Sequence, residues 1–152
     1  MTSKAIIKRT ILLAGAVVVL SLVATSGVRA ACSDPPAQDV DWSGCDLSGA
    51  KLTGANLASA NLTGANLASA NLYNANLTDA DLTGANLARI NLGGANLTGA
   101  NLTDADLTDA YMELANLSQA NLTDADLTDT ILASATWTDG RKCIQASVGA
   151  CN

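Results

Sequence analysis

The stretch ANLTGANLASANLYNANL, residues 60–77, places a leucine at every fifth position. An α-helix turns once every ~3.6 residues, so apolar residues five apart spiral around it and leave no apolar face. A β-strand alternates with a period of two, so the same spacing sends successive leucines to opposite faces of a sheet. The spacing therefore requires a backbone that turns in the same way in every five-residue unit.

This period continues through most of the 152-residue chain. Steps of five from Trp42 to Trp137 give twenty consecutive apolar centres, all leucine except the two tryptophans and Met112. Alanine nearly always stands two residues before a centre, Asn or Asp nearly always stands directly before it, and the next two residues are mostly small or polar. Because a fixed period is typical of solenoids, we expect the centres to converge on one internal axis. The alanines must then be small to share that interior, and the other three positions face water.

The repeated unit, A-[N/D]-L-x-x, carries a resemblance to a known family. Residues 40–139 resemble the pentapeptide repeat family over all twenty units. The resemblance implies an all-β fold, a right-handed quadrilateral β-helix with four pentapeptides per coil and about five coils. One further sign of a twenty-residue coil is the segment NLTDADLTD, which occurs at 101–109 and again at 121–129.

The N-terminal segment, residues 1–30, has the pattern of a secretory signal peptide. Basic residues in the first nine positions precede an uncharged run at 10–28, and Val28 and Ala30 suit cleavage after Ala30. An uncleaved membrane anchor is the alternative. We predict export to the periplasm or the extracellular space, with the thylakoid lumen as a further option, and only transient membrane contact. The expected layout is an N-terminal cap at 31–39, the solenoid at 40–139 and a C-terminal cap at 140–152.

Charge excludes one class of partner. Without residues 1–30, four basic residues stand against fourteen acidic ones, a net charge of −10. An acidic surface repels nucleic acid and anionic lipid, so we expect neither as a partner.

The four cysteines all follow the predicted cleavage site. The chain has no CxxC motif and no histidine, so disulfides are favoured over a metal site, and no cofactor is expected. The two ends of a five-coil stack lie about 19 Å apart, whereas a disulfide joins Cα atoms within ~7 Å. We therefore predict two local bonds, Cys32–Cys45 and Cys143–Cys151, which staple the ends. Trp42 and Trp137, the first and last apolar centres, would fill the interior of the two end coils.

Two outward columns have a functional and a simpler interpretation. The first column carries hydroxyl groups, as ice-binding β-helices do. The neighbouring column mixes Asp and Asn, so we interpret the hydroxyl residues as part of an ordinary solvent-exposed surface and not as an ice-binding site. Its members are Ser43, Thr63, Thr83, Thr103 and Thr123.

The second column is acidic and would suit a cation, but a solvated surface is favoured because no calcium-loop motif is present. Its members are Asp104, Asp106 and Asp109, stacked on Asp124, Asp126 and Asp129.

One side of the coil breaks the pattern. Tyr73, Tyr111, Leu114 and Ile131 replace small or polar residues at outward positions of the same side. A local apolar patch on a polar solenoid is a candidate face for a protein partner. Repeat decay, or packing of the C-terminal tail onto this side, would also account for it.

Catalysis is the function class that the sequence disfavours most. The chain lacks histidine and any glycine-rich phosphate loop, and its aspartates should face water with unshifted pKa values. We predict a non-enzymatic, exported structural and protein-interaction scaffold whose partner is unknown, and we keep a homodimer open. The resemblance supplies an alternative, because some pentapeptide repeat proteins mimic DNA in shape and charge and bind topoisomerases. Export argues against that alternative.

Overall fold

The computed structural model describes residues 9–13, 16–20 and 32–152. Strands β1 (Arg9–Leu13) and β2 (Ala16–Leu20) pair antiparallel, from Arg9 opposite Leu20 to Leu13 opposite Ala16. The predicted cleavage position after Ala30 lies outside the described residues. Within the described part of the chain, no helix has the length and apolarity needed to cross a bilayer.

Parallel bridges that join residues twenty apart define the solenoid. They run without interruption from Asp41 opposite Asn61 to Asn116 opposite Thr136. One coil is therefore four pentapeptides, and residues 41–140 form five coils. Side one of the first coil begins at residue 41, side two at 46, side three at 51 and side four at 56, and each side recurs every twenty residues.

Each unit makes the same backbone hydrogen bonds. The amide of Leu62 donates to the carbonyl of Asp81 (2.7 Å), the amide of Asp81 donates back to Ala60 (2.9 Å), and the amide of Ala65 closes a turn onto Leu62 (3.0 Å). The second residue after each centre from Trp42 to Leu132 has a positive φ, such as 62° at Gly64, which turns the corner. Only one residue per side takes part in a bridge, so the bridges stay isolated and do not merge into long strands.

The interior contains the predicted stack of apolar centres. The centres from Leu57 to Leu117 are fully buried, and the alanines between them are buried as well. Ile90 stands at an alanine position and is also buried, so the expectation that this position must be small is wrong there. The interior can accommodate one branched side chain where its neighbours on the same level are leucine and alanine.

A disulfide-bonded segment outside the repeat lies at each end of the solenoid. Cys32 is bonded to Cys45, which takes an alanine position of the core, and their Cα atoms are 5.5 Å apart. Cys143 is bonded to Cys151, with Cα atoms 4.9 Å apart. These are the two local pairs that the spacing predicts. Trp42 is buried as expected for a plug, whereas Trp137 is only partly buried.

Candidate interaction surface

The four predicted patch residues lie together on side three and point outward. Tyr73 is 45% exposed, Tyr111 38%, Leu114 62% and Ile131 41%. The bridge column of this side brings residue 111 directly below residue 131, and Val148 of the tail pairs with Ile131. Val148 is itself exposed and extends the apolar surface, so the tail adds to the patch and does not cover it. We call these five residues the tyrosine patch.

Gly93 separates the two tyrosine rings. A Cβ atom at this position would lie 3.0 Å from Cε1 of Tyr111 and 3.1 Å from Cδ2 of Tyr73. Both rings therefore converge on the bare backbone of one glycine. Sequence reasoning missed Gly93, although it is the only glycine in the chain directly after an apolar centre.

A hydrogen bond orients the Tyr111 ring. Its hydroxyl donates to the carboxylate of Glu113. This bond, together with partial desolvation and the nearby negative charge, raises the pKa of Tyr111 above its ordinary value. The phenol is protonated near neutral pH, as any tyrosine is, and the hydrogen bond holds its hydroxyl toward Glu113.

Leu114 takes a backbone conformation that a large side chain rarely adopts. Its φ is 62°, at the corner position that the other units fill with glycine or with polar residues. A left-handed φ costs a non-glycine residue about 1–2 kcal/mol. Burial does not offset that cost, because Leu114 is the most exposed of the large apolar side chains in residues 32–152. A strained and exposed leucine on the same side as two exposed tyrosines favours an outward role.

The repeat architecture and the family comparison agree. The family model described as "Pentapeptide repeats" matches residues 41–79, 75–113 and 110–136, with eight copies. The chain belongs to the pentapeptide repeat family. No curated protein sequence matches it.

Two solved structures show the same type of solenoid. A pentapeptide repeat protein of the cyanobacterium Cyanothece 51142, Rfr23, is 38% identical with a TM-score of 0.60, and the match covers 60% of this chain and 63% of that one. A trypsin-treated form of QnrB1, a plasmid-mediated fluoroquinolone resistance protein, is 25% identical with a TM-score of 0.50, covering 66% and 54%. This chain thus spans less than two thirds of either protein.

The threonine column of this pentapeptide solenoid uses its hydroxyls internally. Thr103 Oγ1 donates to Asn101 Oδ1 (2.7 Å) and accepts from Asn121 Nδ2 of the next coil (2.8 Å). The same arrangement joins Thr83 to its neighbouring coil. Hydroxyls committed to this ladder are not a free array facing water, which agrees with the ordinary interpretation of the column.

Three aspartates have shifted pKa values, which corrects the expectation that none would move. The pKa values of Asp46, Asp81 and Asp126 are lowered, chiefly because a Ser or Thr side chain two residues later donates to the carboxylate. For Asp126 the donor is Thr128, whose hydroxyl and amide both point to Oδ1 (2.6 and 2.9 Å). The turn of the repeat places these donors, and it stabilises the charged form. Among the described residues, no group of acidic or cysteine side chains could hold a metal ion.

Proposed function

We propose that this pentapeptide repeat protein is an exported, non-enzymatic scaffold that binds a protein partner through the tyrosine patch. The single observation that carries the proposal is Leu114, held outward at a strained φ of 62° on the side of the coil that carries two exposed tyrosines. We also propose that the coil is right-handed and quadrilateral, as the family resemblance implies. The layout that goes with it is a signal peptide at 1–30, caps at 31–39 and 140–152, and the solenoid at 40–139.

The chemistry of the patch supports a protein partner. Tyrosine is enriched at the centres of protein interfaces, where a rigid ring offers contact area at a low entropic cost. The Tyr111–Glu113 hydrogen bond and the close approach to Gly93 limit the motion of the rings. A pre-ordered patch loses less conformational entropy when a partner binds.

The disulfides support export. Such bonds persist mainly in oxidising compartments, and this protein has one at each end of the solenoid. Cleavage after Ala30 would make Cys32 the second residue of the mature chain, so the Cys32–Cys45 bond would hold the cap at its start. N-terminal sequencing of protein recovered from outside the cytoplasm tests this, and a chain that begins at Met1 and carries free thiols would contradict it.

The test of the patch compares partners captured by the oxidised protein and by a triple variant. The triple variant carries Tyr73→Ser, Tyr111→Asn and Leu114→Gly, each a residue type that the repeat accepts at that position. The matched control carries Arg89→Gly and Gln119→Gly, which are the same corner position on sides two and four, with φ of 56° and 62°. We expect the triple variant alone to lose a partner in quantitative mass spectrometry. Equal partner profiles for all three proteins would refute the patch.

Leu114→Gly separates a binding role from a structural one. Relief of the left-handed strain should raise the free energy of unfolding by up to about 1 kcal/mol, while the affinity for the partner falls. Gln119→Gly should give a similar gain in stability with unchanged affinity. Thermal denaturation and a binding titration measure the two effects, and a loss of stability in Leu114→Gly would show that the side chain serves the fold.

The second candidate is an acidic, DNA-mimic-like protein that binds a topoisomerase. The stacked aspartates of sides one and two favour it, because residue 106 pairs directly with residue 126 and both carry carboxylates. The predicted export disfavours it, since topoisomerases are cytoplasmic. Inhibition of DNA supercoiling by the purified mature protein, lost when the aspartates of coils four and five become asparagines, would establish this function in place of the first.

A further inference from the structure

The C-terminal end of the solenoid is covered on only two of its four sides. On sides three and four, the amides of Leu132 and Trp137 donate to carbonyls of the tail, residues 140–152, at 2.9 and 2.8 Å. The equivalent amides on sides one and two belong to Leu122 and Leu127. Neither has a hydrogen-bond partner among the described residues. Half of the last coil is therefore an unpaired sheet edge.

Two further amides belong to this edge. In coil four, the amides of Asp104 and Asp109 donate to carbonyls of the coil above, both at 3.0 Å. The equivalent amides of coil five, on Asp124 and Asp129, have no such partner in residues 32–152. The tail reaches the end of side two, where the amide of Gly149 donates to the carbonyl of Thr130 (2.9 Å). We call residues 121–129 the open edge, and its four outward amide donors are those of Leu122, Asp124, Leu127 and Asp129.

The open edge also leaves part of the core uncovered. Leu122 and Leu127 are only partly buried, whereas all the leucine centres of coils two to four are fully buried. An added strand that bends at the corner, as the tail does between sides four and three, would cover these two side chains and pair with the free amides in the same step. Peptides that add to the edge of a sheet act in this way, because their backbone pairs with the free edge groups and their side chains cover the exposed apolar surface.

The covered half shows which kind of strand this end accepts. The tail runs antiparallel to coil five, through bridges between Thr136 and Lys142 and between Ile131 and Val148. It is basic where it begins, at Arg141 and Lys142, and the Arg141 Nε atom lies 3.4 Å from the Asp139 carboxylate. A cationic, antiparallel segment is thus already seated on one half of this end.

The open half is more acidic than the covered half. Asp124 and Asp126 are exposed there with Asp129, and each stands above an aspartate of coil four. We propose that the open edge binds an extended, cationic segment of another protein as an added antiparallel strand. Its apolar side chains cover Leu122 and Leu127, and its Lys or Arg side chains lie beside the three aspartates. Two copies that met through their open edges would bring these carboxylates together, so a second copy fits less well.

The experiment uses the full oxidised protein and a defined probe. The probe is a capped twelve-residue peptide of alternating valine and lysine, and the comparison peptide alternates valine and glutamate. Amide hydrogen exchange, resolved by residue, reports on strand pairing. We expect the lysine peptide to slow exchange at Leu122, Asp124, Leu127 and Asp129 together, and the glutamate peptide to have no effect.

Matched variants distinguish binding of the lysine peptide at the open edge from its general electrostatic attraction to an acidic protein. Asp124→Asn with Asp129→Asn should weaken binding of the lysine peptide about 3- to 10-fold in calorimetry. Asp39→Asn with Asp79→Asn removes the same charge from the same repeat position at another corner, and should leave affinity unchanged. The triple variant of the tyrosine patch should also bind normally, so this proposal and the proposed function can fail independently.

Three results would overturn the proposal. The first is binding without slower exchange at the four amides, and the second is an equal loss of affinity in both aspartate pairs. The third is protection that rises with protein concentration in the absence of peptide, together with a dimer mass in sedimentation. That result would assign the edge to a second copy, whose Arg141 and Lys142 could reach the aspartates.

Discussion

The same nine residues, NLTDADLTD, occur in coil four at 101–109 and in coil five at 121–129, with different environments. Local contacts are identical, since Thr108 and Thr128 each donate to the aspartate two residues earlier at 2.6 Å. Non-local contacts differ, because the leucines of the first copy are fully buried and those of the second are only partly buried. Five-residue units therefore determine their own turns, while the coil above determines how well they are covered.

The largest expected effect tests that difference in burial. Leu107→Ala should lower the free energy of unfolding by about 3–4 kcal/mol, because it leaves a cavity in a packed stack. Leu127→Ala removes the same atoms from the same local sequence and should cost about 1–2 kcal/mol, since water already reaches that site. Chemical denaturation measures both losses. Equal losses would mean that coil five is as well packed as coil four.

The next effect concerns the tail that covers sides three and four. Cys143→Ala with Cys151→Ala should lower stability by about 2–4 kcal/mol, and the amides of Leu132 and Trp137 should then exchange as fast as those of the open edge. Cys32→Ala with Cys45→Ala is the control at the other end. It should also lose stability but keep those two amides protected, and unchanged exchange in the first variant would show that the disulfide does not hold the tail.

The smallest effect tests the local contacts shared by the two copies. Thr128→Val removes the hydroxyl that lowers the pKa of Asp126, so that pKa should rise toward its ordinary value in a titration followed by NMR. A lowered folded pKa adds stability above the unfolded pKa, and this is lost as pH falls through the folded pKa. The variant should therefore be less stable than the parent near neutral pH and equal to it in strong acid. If the variant is less stable than the parent by the same amount at every pH, the lost stability comes from packing and not from the ionisation of Asp126.

Much of the fold could be predicted from residue spacing. The five-residue period identifies the buried centres, and the cysteines at the flanks can reach only their local partners. The outward direction of Tyr111 and Leu114 follows from their positions in the unit. Each of these predictions depends on short-range geometry that repeats along the chain.

Other features needed the coordinates because they join residues from different coils. Gly93 lies between two tyrosines that are twenty residues below it and eighteen above it in sequence, so their contact has no local signal. The lowered pKa values of Asp46, Asp81 and Asp126 do not follow from water exposure alone, because they depend on the Ser and Thr donors of the turn.

The sequence by itself determined a pentapeptide solenoid, its apolar axis, its two end staples and an apolar patch on one side. Those properties arise from a unit that folds in the same way twenty times. Only the tertiary structure decided that the tail covers two sides of the last coil and leaves the outward amides of residues 121–129 without partners. Coverage of an end depends on where a non-repeating segment comes to lie, and no periodicity within the chain specifies that position.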